Sequence, residues 1–130
     1  MYVWFSQMGF PHNTLEFPYT RQSPLTKKNK EYQTLDEIQE EVIQLSHTFS
    51  DSKFTLGRNL YFIVPLFADP RWFVDDKYIE IIREYNYVKN YGIPIARSLD
   101  EADSYQLECF DIIQREIAAI TQYLGEKNGR

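Results

Sequence analysis

A chain of 130 residues is the usual size of one domain and can bury a core of its own, so we expect residues 1–130 to form a single domain. The 43% hydrophobic and 25% charged residues exclude a disordered or fibrous protein. The net charge of −5 is divided unevenly. Residues 1–30 hold four basic residues against Glu16 alone, a balance of +3 that leaves −8 for the rest, so nucleic-acid binding is not expected.

The composition also bears on compartment and partners. The single cysteine, Cys109, cannot form a disulfide within the chain and favours a reducing compartment, so we expect a cytoplasmic protein. The N-terminal MYVWFSQMGF lacks the basic and long apolar regions of a signal peptide, and no stretch is apolar enough for a membrane span. The 10 tyrosines, 9 phenylalanines and 2 tryptophans leave some rings near the surface, which favours a protein partner or self-association.

The first 33 residues predict one strand and a long connection. Residues 2–6, YVWFS, are β-prone and predict a short first strand. From residue 8 to 33, prolines and polar residues interrupt the apolar spacings that are typical of a helix or a strand. This stretch is therefore predicted to be a long irregular or partly mobile segment. No acidic residue interrupts residues 17–30, so this segment offers candidate contacts for phosphates or an acidic partner: Arg21, Lys27 and Lys28.

The next segment is the clearest helix. Apolar residues recur at spacings of 3 and 4 from Leu35 to Phe49. The stretch TLDE, residues 34–37, predicts a capping box at the start of this helix. The same pattern in SLDE, residues 98–101, predicts the start of a later helix and is better explained as a second capping box than as a repeated catalytic motif.

The rest of the sequence predicts strands and helices in alternation. The unbroken apolar run NLYFIV, residues 59–64, predicts a strand covered on both faces, and KFTL, residues 53–56, could add another. A second helix is predicted from the cap Asp75 to the stop Gly92, followed by a short strand over residues 93–97. The third helix is predicted to run from residue 98 to 124, with a break near residues 103–104.

The order β-loop-α-β-α-β-α predicts an α/β fold with a small, mostly parallel sheet of three to four strands flanked by three helices. In such sheets, ligands bind beyond the carboxyl ends of the strands. A nucleotide-like or phosphate-bearing small molecule could therefore be bound there by residues that follow the three predicted strands: Ser6, Gln7, Asp69, Arg71, Arg97 and Ser98. No glycine-rich phosphate loop supports this site, and residues 69–76 are otherwise a turn followed by a helix cap.

Other chemistry is not indicated. His12 and His47 lie far apart and have no partner at a recognised ligand spacing, so no metal site or cofactor is predicted. Cys109 is predicted within a helix, and no motif places a base beside it or beside a serine. The acidic residues of the third helix are expected to be solvated. The sequence therefore gives no catalytic residue and favours a protein without enzymatic activity.

The second predicted helix carries more aromatic and aliphatic side chains than one buried face needs. Tyr87 and Tyr91 are expected to be exposed and, with Trp72, to form a partner-binding patch. We therefore expect a non-catalytic protein-protein interaction module, of adaptor or inhibitor type, that uses aromatic and acidic surfaces. The small-molecule site is the alternative. Mimicry of nucleic acid by the acidic part is a third hypothesis, which the modest net charge disfavours.

Overall fold

The computed structural model of the protein describes residues 1–11 and 14–129. That part of the chain contains five α-helices and one two-stranded antiparallel sheet. The elements are α1 (Tyr2–Met8), β1 (Tyr19–Gln22), β2 (Asn29–Tyr32), α2 (Leu35–His47), α3 (Leu56–Phe67), α4 (Asp76–Tyr91) and α5 (Ser104–Asn128), with short 3-10 helices at Pro70–Phe73 and Leu99–Glu101.

The predicted α/β fold with a parallel sheet is wrong. β1 and β2 form an antiparallel hairpin in which Tyr19 lies opposite Tyr32. The segments predicted as strands have other structures: residues 2–6 belong to α1, residues 59–64 belong to α3, and residues 93–97 form an irregular connection between helices. In the segment 53–56, residues 53–55 lead into α3 and Leu56 is the first residue of that helix.

α3 shows why an apolar run can be misread. Its buried residues recur with helical spacing, at Leu60, Tyr61, Val64 and Phe67, rather than alternating as in a strand. Pro65 lacks the N–H that a helix requires, which costs about 3 kcal/mol within a helix. The helix nevertheless continues to Phe67, because Val64 and Phe67 are both fully buried and their packing offsets that cost.

Several predicted helix ends are confirmed. The hydroxyl of Thr34 accepts a hydrogen bond from the backbone N–H of Glu37, at 3.4 Å, and α2 begins at the next residue after this cap. Asp75 caps α4 through the N–H of Lys77, and Gly92 ends α4 in the left-handed conformation, with φ of 65°. These signals depend only on neighbours in the chain, which is why they can be read locally.

The last helix begins later than predicted. Ser98 precedes only the short 3-10 helix Leu99–Glu101, and its side chain makes no capping hydrogen bond. Asp103 caps α5 by accepting from the N–H of Tyr105 at 2.9 Å. The predicted break near residues 103–104 is therefore confirmed, whereas the predicted start at Ser98 is wrong.

The long segment over residues 8–33 contains the hairpin, which was not predicted. Ser23 organises its turn, because the Ser23 N–H donates to the carbonyl of Lys28 and its hydroxyl accepts from the N–H groups of Leu25 and Thr26. Residues 12 and 13, which include His12, lie outside the described residues.

The core consists of two apolar clusters that share α3. One joins α1, α3 and α5 around Trp4 and Phe5. The other joins α2, α3 and the hairpin around Tyr32, Val64 and Phe67. Each cluster contains one buried glutamate whose carboxylate links separate elements.

Glu116 of α5 is the link in the first cluster. Its carboxylate accepts hydrogen bonds from the indole N–H of Trp4, from the hydroxyl of Thr55 at 2.7 Å and from the backbone N–H of Gly57 at 3.2 Å. Burying a carboxylate is tolerated only when its oxygens are satisfied in this way. Glu116 therefore fixes α1 and the start of α3 to α5.

Glu41 of α2 is the link in the second cluster. Its carboxylate accepts hydrogen bonds from the hydroxyls of Ser23 and Tyr32, both of which are fully buried. Burial and the bond to Glu41 raise the pKa of Tyr32, so this phenol stays protonated as a donor. Glu41 therefore holds the turn and the second strand of the hairpin against α2.

The Glu116 link predicts opposite effects for two helical glycines. A Cβ added to Gly57 would lie 2.6 Å from Oε2 of Glu116, whereas one added to Gly125 would meet no atom within 4 Å. We expect Gly57→Ala to lower the free energy of unfolding by about 2–4 kcal/mol, since displacing the carboxylate leaves buried donors unsatisfied. Gly125→Ala should raise it by up to about 1 kcal/mol. Urea denaturation measures both; equal effects would contradict the assigned role of Glu116.

Candidate functional site

An apolar groove lies between α1, α4 and α5, and we name it the α1–α4–α5 groove. It encloses about 340 Å³. Tyr2 and Val3 line it from α1, Ile81 and Ile82 from α4, and Cys109 and Ile112 from α5. A concave apolar surface of this size is typical of a binding site for a ligand or a partner side chain.

The groove exists because α4 is incompletely covered. None of its residues is fully buried, and it packs mainly against α5. Tyr85 and Val88 are half-buried against the first core cluster, which anchors the later turns of α4. At the earlier turns, Tyr78 is 47% exposed and Ile112 on the facing helix is 52% exposed. Apolar side chains thus remain open to solvent on both sides of the groove.

Two exposed carboxylates lie beside the lining residues of α5, and we name them the acidic rim. Glu108 and Asp111 flank Cys109 and Ile112 in the sequence of α5, and the nearest arginine along this helix is Arg115, one turn after Asp111. The one cation near the start of α4, Lys77, is directed at α5, where its ammonium lies 4.9 Å from the centre of the Tyr105 ring. Its interaction with Tyr105 raises the pKa of Lys77. The groove therefore presents apolar walls beside exposed carboxylates.

Asp69 and Arg71, two residues of the predicted small-molecule site, bind each other. The Asp69 carboxylate accepts from the Arg71 backbone N–H at 3.0 Å and from its Nη2 at 2.7 Å. The hydrogen bonds from the Arg71 side chain hold the pKa of Asp69 below its ordinary value of 3.8. The Asp69 carboxylate also caps the 3-10 helix Pro70–Phe73. This arrangement accounts for Asp69 without a ligand.

Trp72 holds the hairpin. Its ring stacks on Phe17 with centroids 4.8 Å apart and lies 6.1 Å from the ring of Tyr19. The Tyr19 hydroxyl in turn donates to the carbonyl of Phe67 at 2.8 Å. Trp72 is half-buried in this aromatic contact, which gives it a role in joining the hairpin to the end of α3.

The structure removes the reason for grouping the remaining ligand residues. Ser6 and Gln7 are exposed on α1, where the Ser6 hydroxyl donates to the carbonyl of Val3. Arg97 and Ser98 are exposed in the connection between α4 and α5. The strand ends that were expected to bring these residues together do not occur in the described part of the chain.

The predicted partner-binding residues lie on three separate elements, and Trp72, on the 3-10 helix Pro70–Phe73, is not beside the two tyrosines of α4 in sequence or in the ring contacts that it makes. Tyr87 and Tyr91 are 49% and 72% exposed on α4, with ring centroids 6.1 Å apart. Arg21, Lys27 and Lys28 are exposed on the hairpin. Both sets remain candidates for contact with a partner.

Sequence reasoning missed the α1–α4–α5 groove. Residues 2–6 are predicted as a strand, and Cys109 is predicted only to lie within a helix, so neither is predicted to line a binding site. The signal in the sequence was Ile112, an apolar residue that follows Cys109 by three positions and so lies on the same side of a helix; its exposure is seen in the structure.

Among the described residues, neither a metal site nor a membrane-spanning helix adds to this geometry, and neither do comparisons with known proteins. No group of His, Cys, Asp or Glu among the described residues could hold a metal ion. Within residues 1–11 and 14–129, no helix combines the length and apolarity that crossing a membrane requires. Comparisons with protein-family models, with curated proteins and with solved structures found no match to this chain.

The Asp69–Arg71 pair predicts a pH effect. Because the folded pKa of Asp69 is depressed, its contribution to stability is present above pH 3.8 and is lost as the pH falls through the lower folded value. Arg71→Ala should raise that pKa, so that the loss occurs at higher pH. NMR titration of the Asp69 carboxyl carbon, with denaturation at each pH, measures this. Arg97→Ala is the control and should leave the titration unchanged; an unchanged titration in Arg71→Ala would contradict the pairing.

Proposed function

We propose that the protein is a non-catalytic protein-protein interaction module, of adaptor or inhibitor type, that binds a partner segment in the α1–α4–α5 groove. The observation that supports this most is the open apolar groove of about 340 Å³ between three helices. The side chains that line it are mostly aliphatic and aromatic, with one thiol, so binding is better supported than catalysis.

The acidic rim defines the chemistry of the partner. An apolar side chain such as leucine or phenylalanine would fill the groove and gain from leaving water. Lysine or arginine residues beside it would face the exposed carboxylates of Glu108 and Asp111. The expected partner is therefore a segment of a protein with apolar anchors flanked by basic residues.

The outer surface of α4 extends this proposal. Tyr87 and Tyr91 are exposed there as an adjacent pair, and tyrosine is enriched where proteins bind one another. A partner that covers both the groove and this pair would bury α4 more completely than the chain itself does. A cytoplasmic location, where Cys109 would stay reduced, fits a groove that has this thiol in its wall.

The phosphate-bearing small molecule at strand ends is not retained as an alternative. It required a parallel sheet, and the described chain contains only an antiparallel hairpin. Asp69 and Arg71, which were assigned to that ligand, are instead paired with each other.

A peptide pair tests the proposed partner chemistry. One peptide has two leucines flanked by lysines, and the other has the same leucines flanked by glutamates. We expect the lysine peptide to bind and to slow alkylation of Cys109, the single cysteine, because the thiol lines the groove. Ile112→Asp should weaken binding at least about tenfold, or about 1.4 kcal/mol.

Ile43→Asp is the matched control. Ile43 is 60% exposed on α2, so it has similar exposure to Ile112 but lies on another helix. This variant should bind the lysine peptide normally. Equal binding of the two peptides would contradict the role of the acidic rim, and equal losses in the two variants would show that the groove is not the binding site.

A further inference from the structure

The hairpin places like charges together at a cost. Arg21 lies directly opposite Lys30 in the antiparallel register, and both side chains are exposed. Like charges at directly opposed positions destabilise a sheet. Lys30 is also within 5.3 Å of the Tyr32 ring, which holds its charge beside the hairpin. An anionic group bound next to this pair would relieve the repulsion.

The turn of the hairpin contains a second unfavourable feature. Lys27 has a φ of 63°, the left-handed conformation that glycine or asparagine adopts more easily. The turn is rigid, because the Lys27 N–H donates to the carbonyl of Ser23 and its carbonyl accepts from the side chain of Gln22. Ser23 in turn is bonded to the buried Glu41. A lysine kept in such a position suggests a use for its charge.

A groove that we name the hairpin groove lies beside this turn and encloses about 390 Å³. Lys27 and Gln22 line it from the hairpin, Phe49 lines it from the turn after α2, and Ile63 and Leu66 line it from α3. Leu66 is 71% exposed, so the groove has an open apolar floor. Its occupant should combine an aliphatic side chain with negative charges.

The chain itself contains a segment with that chemistry. Leu99 is 78% exposed, the largest exposed fraction among the large hydrophobic residues in the described chain. It is followed by Asp100, Glu101 and Asp103, and the 3-10 helix Leu99–Glu101 projects this group between α4 and α5. We name residues 99–103 the acidic turn. Its negative charges complement the positive charge of Lys27 in the hairpin groove, and its exposed leucine complements the apolar residues there.

We propose that the protein self-associates head to tail, with the acidic turn of one copy in the hairpin groove of the next. Leu99 covers the apolar floor beside Leu66, while Asp100 and Glu101 face Lys27 and Lys28. Because the two surfaces differ, the contact is heterologous and produces a ring or an open chain of copies. The surfaces are separate from the α1–α4–α5 groove, so this proposal does not rest on the proposed function.

A nucleic acid is a poorer occupant for the hairpin groove. Single-stranded nucleic acids are bound by aromatic platforms for base stacking together with extended basic surfaces. Here the most exposed floor residue is the aliphatic Leu66, and the chain beyond residue 30 has a charge of −8. An acidic segment of a second copy fits both observations.

Charge reversal in two complementary variants tests the head-to-tail contact. Sedimentation velocity at protein concentrations up to on the order of 1 mM covers the weak affinity expected of a small contact. We expect the wild-type protein to associate at low salt and less so at high salt. Lys27→Glu with Lys28→Glu should weaken association at least about tenfold, and Asp100→Lys with Glu101→Lys should do the same.

Mixing the two variants is the decisive arm. Each reversed groove then meets a reversed turn, and each native groove meets a native turn, so the mixture should associate although neither variant does alone. Arg83→Glu with Lys89→Glu, on α4, is the control for net charge and should associate normally. Sedimentation as a monomer in the wild-type protein, or failure of the mixture to associate, would overturn the proposal. So would oligothymidylate binding that depends on Lys27 and Lys28 while self-association is unaffected by their reversal.

Discussion

The buried Glu116 carboxylate is the interaction on which the arrangement of the helices depends. A single side chain on α5 bonds to Trp4 of α1 and to Thr55 and Gly57 at the start of α3. In the described structure, every buried side-chain nitrogen or oxygen atom has a hydrogen-bond partner. The buried carboxylate of Glu116 is therefore satisfied by hydrogen bonds within the core. α1 is only seven residues long and would not be stable alone, so its position is set by such tertiary contacts.

The same constraint shapes the proposed binding surface. α1 supplies one wall of the α1–α4–α5 groove, and Glu116 keeps that wall against α5, while α4 packs mainly against α5. On the other side of the molecule, Glu41 holds the hairpin to α2 in a similar way and so fixes the turn that contains Lys27. Both proposed interaction surfaces are therefore built on elements that a buried carboxylate positions, which gives them defined shapes without a large core.

The sequence predicts several helix ends correctly, but it does not predict the contacts between residues that are distant in the chain. Thr34, Asp75 and Gly92 begin or end helices through bonds to residues within a few positions, so their roles can be read directly. The apolar run from residue 59 to 64 was read as a strand because its helical spacing becomes visible only when Phe67 is included beyond Pro65. The bond between Trp4 and Glu116 spans 112 positions, and no local pattern announces it.

The stretch FADPRWF, residues 67–73, illustrates the limit for the candidate site. An aspartate, an arginine and a tryptophan after an apolar run suggested a ligand-binding loop. In the structure, Asp69 caps a 3-10 helix and pairs with Arg71, while Trp72 stacks on Phe17 of a segment more than fifty residues away. These residues are explained by folding. The α1–α4–α5 groove, by contrast, is lined by residues from three helices that lie far apart in the sequence, and no shared motif links these residues.

Hydrogen exchange of the Trp4 indole N–H tests the central claim most directly. If Glu116 holds α1 against α5, this proton exchanges only when the protein unfolds globally, so its exchange free energy equals the free energy of unfolding measured with urea. Exchange of the Trp4 indole proton at a much smaller free energy, by local detachment of α1 from an otherwise folded protein, would contradict the account.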